Sequence, residues 1–210
     1  MPLSLLTDAQ RNGAYVARLL FLGGMVGFWF FTAQYLQGVL GFSPMQAGLA
    51  FLPVTLPQFA FSVSVPRASQ YIGPRRMLLI GLSLCAAGLL WQGIAAPQAS
   101  YVGGVVIPMI LVGVGQGWVL APLTMAGVAG VDSHNAGAAS GLVNVAHQLG
   151  ASLGLAVLVV VYAGGESPVH VAAGMARQVG LTIEVAAAFL IAALLVSARY
   201  IKFPHKAVSK

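Results

Sequence analysis

Residues 132–165 read DSHNAGAASGLVNVAHQLGASLGLAVLVVVYAGG, a long apolar run that is crowded with Gly, Ala and Ser. The run is long enough to cross a lipid bilayer as a helix, which needs about 20 apolar residues. Asn144, His147 and Gln148 follow the spacing i, i+3 and i+4, so a helix places them on one face. The stretch therefore predicts a spanning helix with a polar stripe on an otherwise apolar surface.

Glycines recur four residues apart in this stretch. Gly137 and Gly141 form one pair, and Gly150 and Gly154 form the other. Small side chains at that spacing let two helix backbones approach each other closely in a membrane. Each pair therefore predicts a close contact between helices.

The composition excludes a soluble globular domain. Of the 210 residues, 59% are hydrophobic and 7% are charged, whereas soluble domains carry about 25% charged residues. The net charge of +6 indicates lipid headgroups rather than nucleic acid as the partner, because the basic residues lie at the ends of the apolar runs. The single Cys85 lies inside an apolar run and is predicted to pack as a small hydrophobic side chain. The first apolar run is too long for a cleaved signal peptide.

Six apolar runs are long enough to span a bilayer, so we predict an all-α, polytopic membrane protein with six transmembrane helices. Pro and Gly inside such runs are tolerated because neighbouring helices can satisfy the freed backbone groups. The predicted spans cover about residues 16–40, 46–66, 77–96, 102–124, 136–163 and 181–201, and residues 202–210 form a basic tail.

The basic residues divide unequally between the two ends of these spans. With both termini in the cytoplasm, nine of the ten Lys and Arg residues lie on that side and only Arg177 lies outside. Because cytoplasmic loops carry the excess of Lys and Arg, we predict both termini to be cytoplasmic. The nine residues are Arg11, Arg18, Arg67, Arg75, Arg76, Arg199, Lys202, Lys206 and Lys210.

Two groups near the ends of spans have simple structural interpretations. Arg18 falls in the first turn of the first predicted span, where its long side chain can reach the cytoplasmic headgroups. Asp132 and Ser133 precede the fifth span and favour a cap on its free N–H groups, with a functional carboxylate as the alternative.

Several polar side chains inside the spans are candidates for the wall of a substrate cavity. Gln34 and Gln37 share a face of the first span, and Gln58 and Gln116 lie in the second and fourth. An aromatic, weakly polar wall suits lipophilic molecules, including cations held by ring faces. The aromatic candidates are Phe28, Trp29, Phe31 and Trp118. The alternatives are glutamines that hydrogen-bond neighbouring helices and rings that face lipid.

His147 is the ionisable side chain that lies deepest in a predicted span. Such residues are functional candidates, and an imidazole can take up a proton near neutral pH. The alternative is a neutral His147 that, with Asn144 and Gln148, fastens neighbouring helices. Glu184, near the outer end of the sixth span, is either a proton-coupling carboxylate or an interfacial residue.

An enzymatic or metal-dependent function finds little support in the sequence. GAASG at residues 137–141 departs from the G-x-S-G of intramembrane serine proteases at Ala138. Ser140 lies about 10 Å from His147 along a helix axis, which is too far for a hydrogen bond between nucleophile and base. His134 and His147 lack further ligands at metal spacing. We therefore predict no catalytic residue, no metal and no cofactor.

Three segments are distinctive in combination: AQYLQGVLGFSPMQAGLAFLP at 33–53, GQGWVLAPLTMAGVAGV at 115–131 and NAGAASGLVNVAHQLGASLGLAVL at 135–158. In this order they resemble helices from the C-terminal half of EmrB/QacA-type drug:proton antiporters, the fourteen-span branch of the major facilitator superfamily. The first resembles the opening helical hairpin of that half, and the last resembles its penultimate helix. With their surroundings they cover about residues 11–162.

The basic segment PRASQYIGPR, residues 66–75, resembles the cytoplasmic loop G-x-L-a-D-r-x-G-r-k of the superfamily. Gly73 and Arg75 match the pattern, and Arg76 adds a further basic residue. Pro66 stands at the first Gly of the pattern, Gln70 at its Asp and Tyr71 at its Arg. These departures argue against the Asp–Arg charge relay that is attributed to the loop.

The resemblance implies that this chain is the C-terminal six-helix half of a proton-coupled multidrug efflux antiporter in the bacterial inner membrane. Family members bind small lipophilic or cationic substrates between two bundles that rock against each other. The chain would then be truncated, or its N-terminal six- or eight-span half would be a separate chain. The glycine pairs of the fifth span would lie at the interface between the halves.

Two alternatives belong to other classes of protein. The chain could be a self-standing six-span protein, either a homodimeric half-transporter built with a second copy or an interaction subunit without transport activity. The other alternative is an intramembrane hydrolase that uses Ser140.

Overall fold

The computed structural model describes residues 7–98, 100–165 and 172–203. Within these ranges the regular structure is helical and contains no strand. Six helical segments are long and apolar enough to cross a membrane. The predicted all-α architecture with six spans is confirmed.

Seven α-helices build the bundle within the described ranges. Their bounds are α1 Ala9–Gly38, α2 Pro44–Leu49, α3 Leu52–Ile72, α4 Pro74–Ala95, α5 Ile107–Gly127, α6 Ala136–Ala163 and α7 Ala172–Tyr200. Short 3-10 turns lie at Ala96–Gln98 and Ser133–Asn135, and a π-helical turn at Val102–Val106 leads into α5. The helices α2 and α3 together form the second span.

Helix α1 begins earlier than its predicted span. The Asp8 side chain accepts a hydrogen bond from the Arg11 backbone nitrogen at 2.8 Å, which caps the helix at its first turn. The helix therefore starts at Ala9 rather than near Val16, because polar residues continue it beyond the apolar run.

Helix α7 also begins earlier than predicted. It starts at Ala172, so residues 172–180 are helical although they precede the predicted span 181–201. Glu166 and His170, between the last two predicted spans, lie outside the described residues, as does most of the predicted tail, from residue 204 onward.

The predicted spans 46–66 and 77–96 leave a basic connection between them that is shorter in the structure. Helix α3 continues to Ile72 and α4 begins at Pro74, so Gly73 alone makes the turn. Gly73 has φ of 79°, a left-handed conformation that glycine adopts without a steric penalty.

The predicted cap of the fifth span is also wrong. Asp132 precedes the 3-10 turn and makes no side-chain capping bond, and Asn135 stands at the start of α6, also without one. The 3-10 turn separates Asp132 from α6, so the carboxylate does not meet the first free N–H groups of that helix.

The contacts between the helices have the symmetry expected of two inverted sets of three, with α1, α3 and α4 in one set and α5, α6 and α7 in the other. Helix α1 packs against α6 and α7, α5 packs in the same way against α3 and α4, and α4 meets α7. Exchanging α1 with α5, α3 with α6 and α4 with α7 leaves this pattern unchanged. Because α1 and α5 are the first and fourth spans, they run in opposite directions. This is the inverted repeat of many transporter folds.

Gly150 and Gly154 let α6 approach α1 closely. A Cβ atom on Gly23 would lie 3.1 Å from the Cα atom of Gly154, and one on Gly150 would clash with the backbone of Leu19. Their proposed position at an interface between halves is therefore wrong, because both glycines are buried inside this bundle.

Gly137 and Gly141 have different surroundings. No atom beyond their own helix turn lies within 4 Å of a Cβ atom built on either residue, and both are exposed. Their position at an interface between halves stays a prediction.

Basic residues gather at one end of the bundle, where α1 and α4 begin and α7 ends. There the backbone nitrogen of Lys202 donates to Gln10 Oε1 at 3.2 Å. Arg75 donates to the Ala198 carbonyl at 2.9 Å, which places a cation at the negative end of the α7 dipole. Arg177 lies in the first turns of α7, at the opposite end.

Candidate functional site

A groove of about 280 Å³ opens between α3 and α5. Gln58 and Gln116 line it, so the structure brings together two of the predicted cavity residues. The remaining lining residues are Ser62, Gly117, Leu120, Ala121 and Thr124. The Oε1 atom of Gln116 is buried and accepts no hydrogen bond from the described residues. The groove thus combines small apolar side chains with amide and hydroxyl groups.

Gly117 sets the separation of the two helices that form the groove. A Cβ atom on Gly117 would lie 2.8 Å from the Gln58 carbonyl oxygen and 3.0 Å from the Ser62 nitrogen. This close approach places Gln58 and Gln116 on facing helices at the same level. The next residue, Trp118, donates from Nε1 to Ser64 Oγ at 3.0 Å, so its ring fastens α5 to α3 and does not line the groove.

Arg18 of α1 contacts one end of this groove. Its Nη1 atom donates to Thr124 Oγ1 at 2.8 Å, and Nη2 lies 3.3 Å from His147 Nδ1. A guanidinium only donates, so this contact fits a neutral His147 with an unprotonated Nδ1. Arg18 therefore joins α1, α5 and α6, and His147 is a helix-linking residue in this structure.

That Arg18 reaches the headgroups stays a prediction, but the side chain lies deeper in its helix than the predicted span implies. Because α1 begins at Ala9, Arg18 lies in its third turn, about 13 Å from the first helical residue. The side chain is half-buried, and its Nε atom is buried without a partner among the described residues. The sequence did not single out Arg18 as a site residue.

Similar contacts continue along α1 toward its start. Tyr15 Oη donates to the Gly127 carbonyl at 2.9 Å, and Arg11 Nη1 donates to the Ala129 carbonyl at 3.3 Å. Together with Arg18, these bonds tie the first half of α1 to the end of α5. They hold the helix that carries Arg18 against the helix that carries Thr124.

The predicted polar stripe of α6 does not form one site. His147 contacts Arg18, whereas Asn144 and Gln148 are exposed and do not line the groove. Gln34 and Gln37 are likewise exposed. They lie about 24 Å or more from Arg18 along α1, and Gln37 donates back to the Ala33 carbonyl at 3.4 Å.

The predicted aromatic wall is wrong for two of its members. Phe28 and Phe31 are 0% and 1% exposed, so they pack in the core. Trp29 is half-buried and stacks on Phe51 with 4.9 Å between ring centroids. These rings join α1 to its neighbours, and none of them lines the groove.

Glu184 lies far from Arg18. Its Cγ atom would be 2.6 Å from a Cβ atom on Gly93, which places the residue at the contact of α4 with α7. Gly93 is near the end of α4, so this contact is at the opposite end of the bundle from the basic residues.

The sequence of this chain is similar to one protein family and to several known proteins. The family model described as Major Facilitator Superfamily matches residues 2–155. The chain is 38% identical over 153 residues to the cephamycin export protein CmcT of Amycolatopsis lactamdurans. This alignment covers 72% of this chain and 32% of that protein. It is 32% identical over 210 residues to the puromycin resistance protein pur8 of Streptomyces alboniger, with coverages of 94% and 41%. It is 34% identical over 182 residues to the multidrug efflux pump LfrA of Mycolicibacterium smegmatis, with coverages of 82% and 34%. The chain thus spans less than half the length of each relative.

Proposed function

The chain belongs to the major facilitator superfamily, and from this premise we propose that it forms the C-terminal half of an EmrB/QacA-type drug exporter. The predicted membership of the superfamily is confirmed. The exporter would work by alternating access, in which two bundles rock around a central substrate site. The observation that carries the proposal is the polar groove between α3 and α5. It lies in a six-helix bundle whose helix contacts have the symmetry of an inverted repeat.

We propose that a second bundle packs against the exposed surfaces of α3 and α6. Helices α3 and α6 are the least buried of the six spans, and both expose large apolar side chains, including Phe59 on α3 and Leu153 on α6. The N-terminal six- or eight-span half of the exporter, or a second copy of this chain, would cover these surfaces and close the groove. The shorter length of the chain relative to its relatives supports the first of these.

The proposed cargo is a small lipophilic molecule, carried outward in exchange for protons. The three relatives are named for cephamycin export, puromycin resistance and multidrug efflux. A ligand pocket holds about 300–1,000 Å³, so one groove of this size would be part of a larger cavity between two bundles. The sequence also predicts cationic substrates, for which the groove offers no carboxylate among the described residues.

Export can be tested in the native bacterium. Cells with the intact locus are expected to accumulate less of a lipophilic antibiotic than cells with the locus deleted, and an uncoupler should abolish the difference. Replacing both Gln58 and Gln116 by Leu should weaken export roughly 30-fold, since each lost hydrogen bond contributes about 1 kcal/mol.

The matched control is Gln70→Leu, because Gln70 is an exposed glutamine near the end of α3 and does not line the groove. This variant should export as well as the wild type. Equal accumulation in intact and deleted cells, across a panel of lipophilic antibiotics, would reject the exporter.

We also propose that the protein lies in the bacterial inner membrane with both termini cytoplasmic, since the basic residues gather at that end of the bundle. In a Cys85→Ala background, Gln98→Cys should react with a membrane-impermeant maleimide in intact spheroplasts. Gln70→Cys, at the basic end, should react only after permeabilisation. Both glutamines are exposed, and Cys85 is fully buried. The reverse labelling pattern would overturn this orientation.

A further inference from the structure

We propose that Arg18 binds a carboxylate of the transported molecule, so that the exporter prefers lipophilic acids to their neutral esters. The inference rests on the proposed export function and specifies the chemical class of the substrate. It concerns the end of the α3–α5 groove at which Arg18 meets Thr124.

The first step is that the guanidinium has donors to spare. Arginine carries five N–H groups, and one on Nη1 goes to Thr124 and one on Nη2 goes to His147. Each of these two nitrogens keeps a second N–H group. The bond to Thr124 is exposed, so this end of the side chain is open to a ligand.

The second step is that no carboxylate in the described part of the chain neutralises Arg18. Asp8 caps α1, Asp132 is exposed ahead of α6, and Glu184 lies between α4 and α7. The fourth acidic residue, Glu166, lies outside the described residues. Thr124 and a neutral His147 give Arg18 hydrogen bonds but no opposite charge.

The third step is the energetic preference of such a group. A guanidinium inside a membrane-spanning bundle is costly without a counter-charge. A carboxylate accepts short, charge-assisted hydrogen bonds from a guanidinium, often two at once, and these are about twice as strong as neutral ones. A cationic substrate group would be repelled at the same place. The site therefore selects an anion, and the planar donor fork matches a carboxylate.

The fourth step is that the groove accommodates the rest of such a molecule. Thr124 both binds Arg18 and lines the groove, so a carboxylate at Arg18 lies directly beside the groove wall. Leu120 and Ala121 supply an apolar surface next to it. Gln116 lies about 12 Å further along α5, where its amide can bind a polar group at the far end of the ligand.

Equilibrium binding to the native-length protein in lipid nanodiscs tests this inference. The probes are radiolabelled 1-naphthaleneacetate and its methyl ester, which differ in charge and little in shape. The wild type is expected to bind the acid roughly tenfold more tightly than the ester. Arg18→Gln should remove this preference by weakening acid binding roughly tenfold, with ester binding unchanged. Arg18→Lys, which keeps the charge and loses the fork, should retain part of the preference.

Arg75→Gln is the matched control, because it removes one positive charge at the end of α7, away from the groove. It should leave both affinities unchanged. Equal binding of acid and ester by the wild type, as expected if a carboxylate of the second bundle occupies Arg18, would overturn the inference. So would an equal loss of both ligands in Arg18→Gln. If Arg18→Gln does not fold, the acid-to-ester ratio of Arg18→Lys decides, and a ratio equal to that of the wild type counts against Arg18.

Binding is measured here without transport, so the two proposals fail separately. A protein that prefers the acid but exports nothing would keep the Arg18 site and reject the exporter. A protein that exports antibiotics and binds both probes equally would support the exporter and reject the Arg18 site.

Discussion

Replacing Gly154 by Val is expected to destabilise the six-helix bundle by about 3 kcal/mol, through overpacking. Gly154 lies against the backbone of Gly23 on α1, and a Cβ atom at this position would overlap with that backbone. Backbone atoms cannot turn aside as a flexible side chain can, so α1 and α6 would have to separate along their contact. Because α1 also contacts α5 and α7, the separation would disturb most of the bundle.

The control lies on the same helix. Gly141→Val adds the same side chain where no neighbouring atom lies within 4 Å of the new Cβ atom. The measurement is the thermal unfolding midpoint of each purified variant in the same detergent. Gly154→Val should unfold about 10 °C below the wild type, and Gly141→Val within about 2 °C of it. Equal midpoints for the two variants would contradict the packing of α6 on α1.

Replacing Phe28 by Ala is expected to cost about 3 kcal/mol of stability. The Phe28 side chain is fully buried and its ring meets Trp29 edge-on at 5.6 Å, so truncation leaves a cavity whose lining loses its dispersion contacts. Moving the ring from lipid into the protein core contributes little to stability, because both surroundings are apolar. The cavity therefore accounts for most of the lost stability.

Phe59→Ala makes the same change on α3, where the ring is 72% exposed. Its effect on the unfolding midpoint should be small in the isolated bundle. The pair of variants also separates two roles for Phe28. If Phe28 is a core residue, its truncation lowers the stability of the protein. If Phe28 lines the cavity, its truncation lowers the affinity for substrate and leaves the stability unchanged. The second result would support the predicted position of Phe28 in the cavity wall.

The span count could be read from the sequence because each apolar run is long enough to cross a bilayer and the basic residues lie at its ends. The ends of the helices could not be read in this way. Hydropathy locates the apolar core of a helix, whereas α1 starts at the polar Asp8 cap, and α7 starts at Ala172 within a segment of mixed polarity. Because the predicted span starts too late, it places Arg18 in the first turn of the helix and not in the third. Its contacts with Thr124 and His147 are therefore not predicted.

The glycine pairs show a different limit. The four-residue spacing correctly predicts that Gly150 and Gly154 allow close contact, since small residues permit it with any helix. The spacing does not specify which helix, and the structure assigns the contact to α1 of the same bundle. The symmetric packing of α1 and α5 could not be predicted from the sequence either, because the contacts that define it join helices far apart along the chain.

The single-residue turn at Gly73 has a mechanical consequence for any rocking motion. One residue between two helices supplies only two soft dihedral angles, so a movement of the end of α3 is passed directly to the start of α4. Helix α3 forms a wall of the groove, and α4 carries Arg75, which binds the end of α7. A ligand that displaces the end of α3 would therefore also move the start of α4, and with it the Arg75 bond to the end of α7.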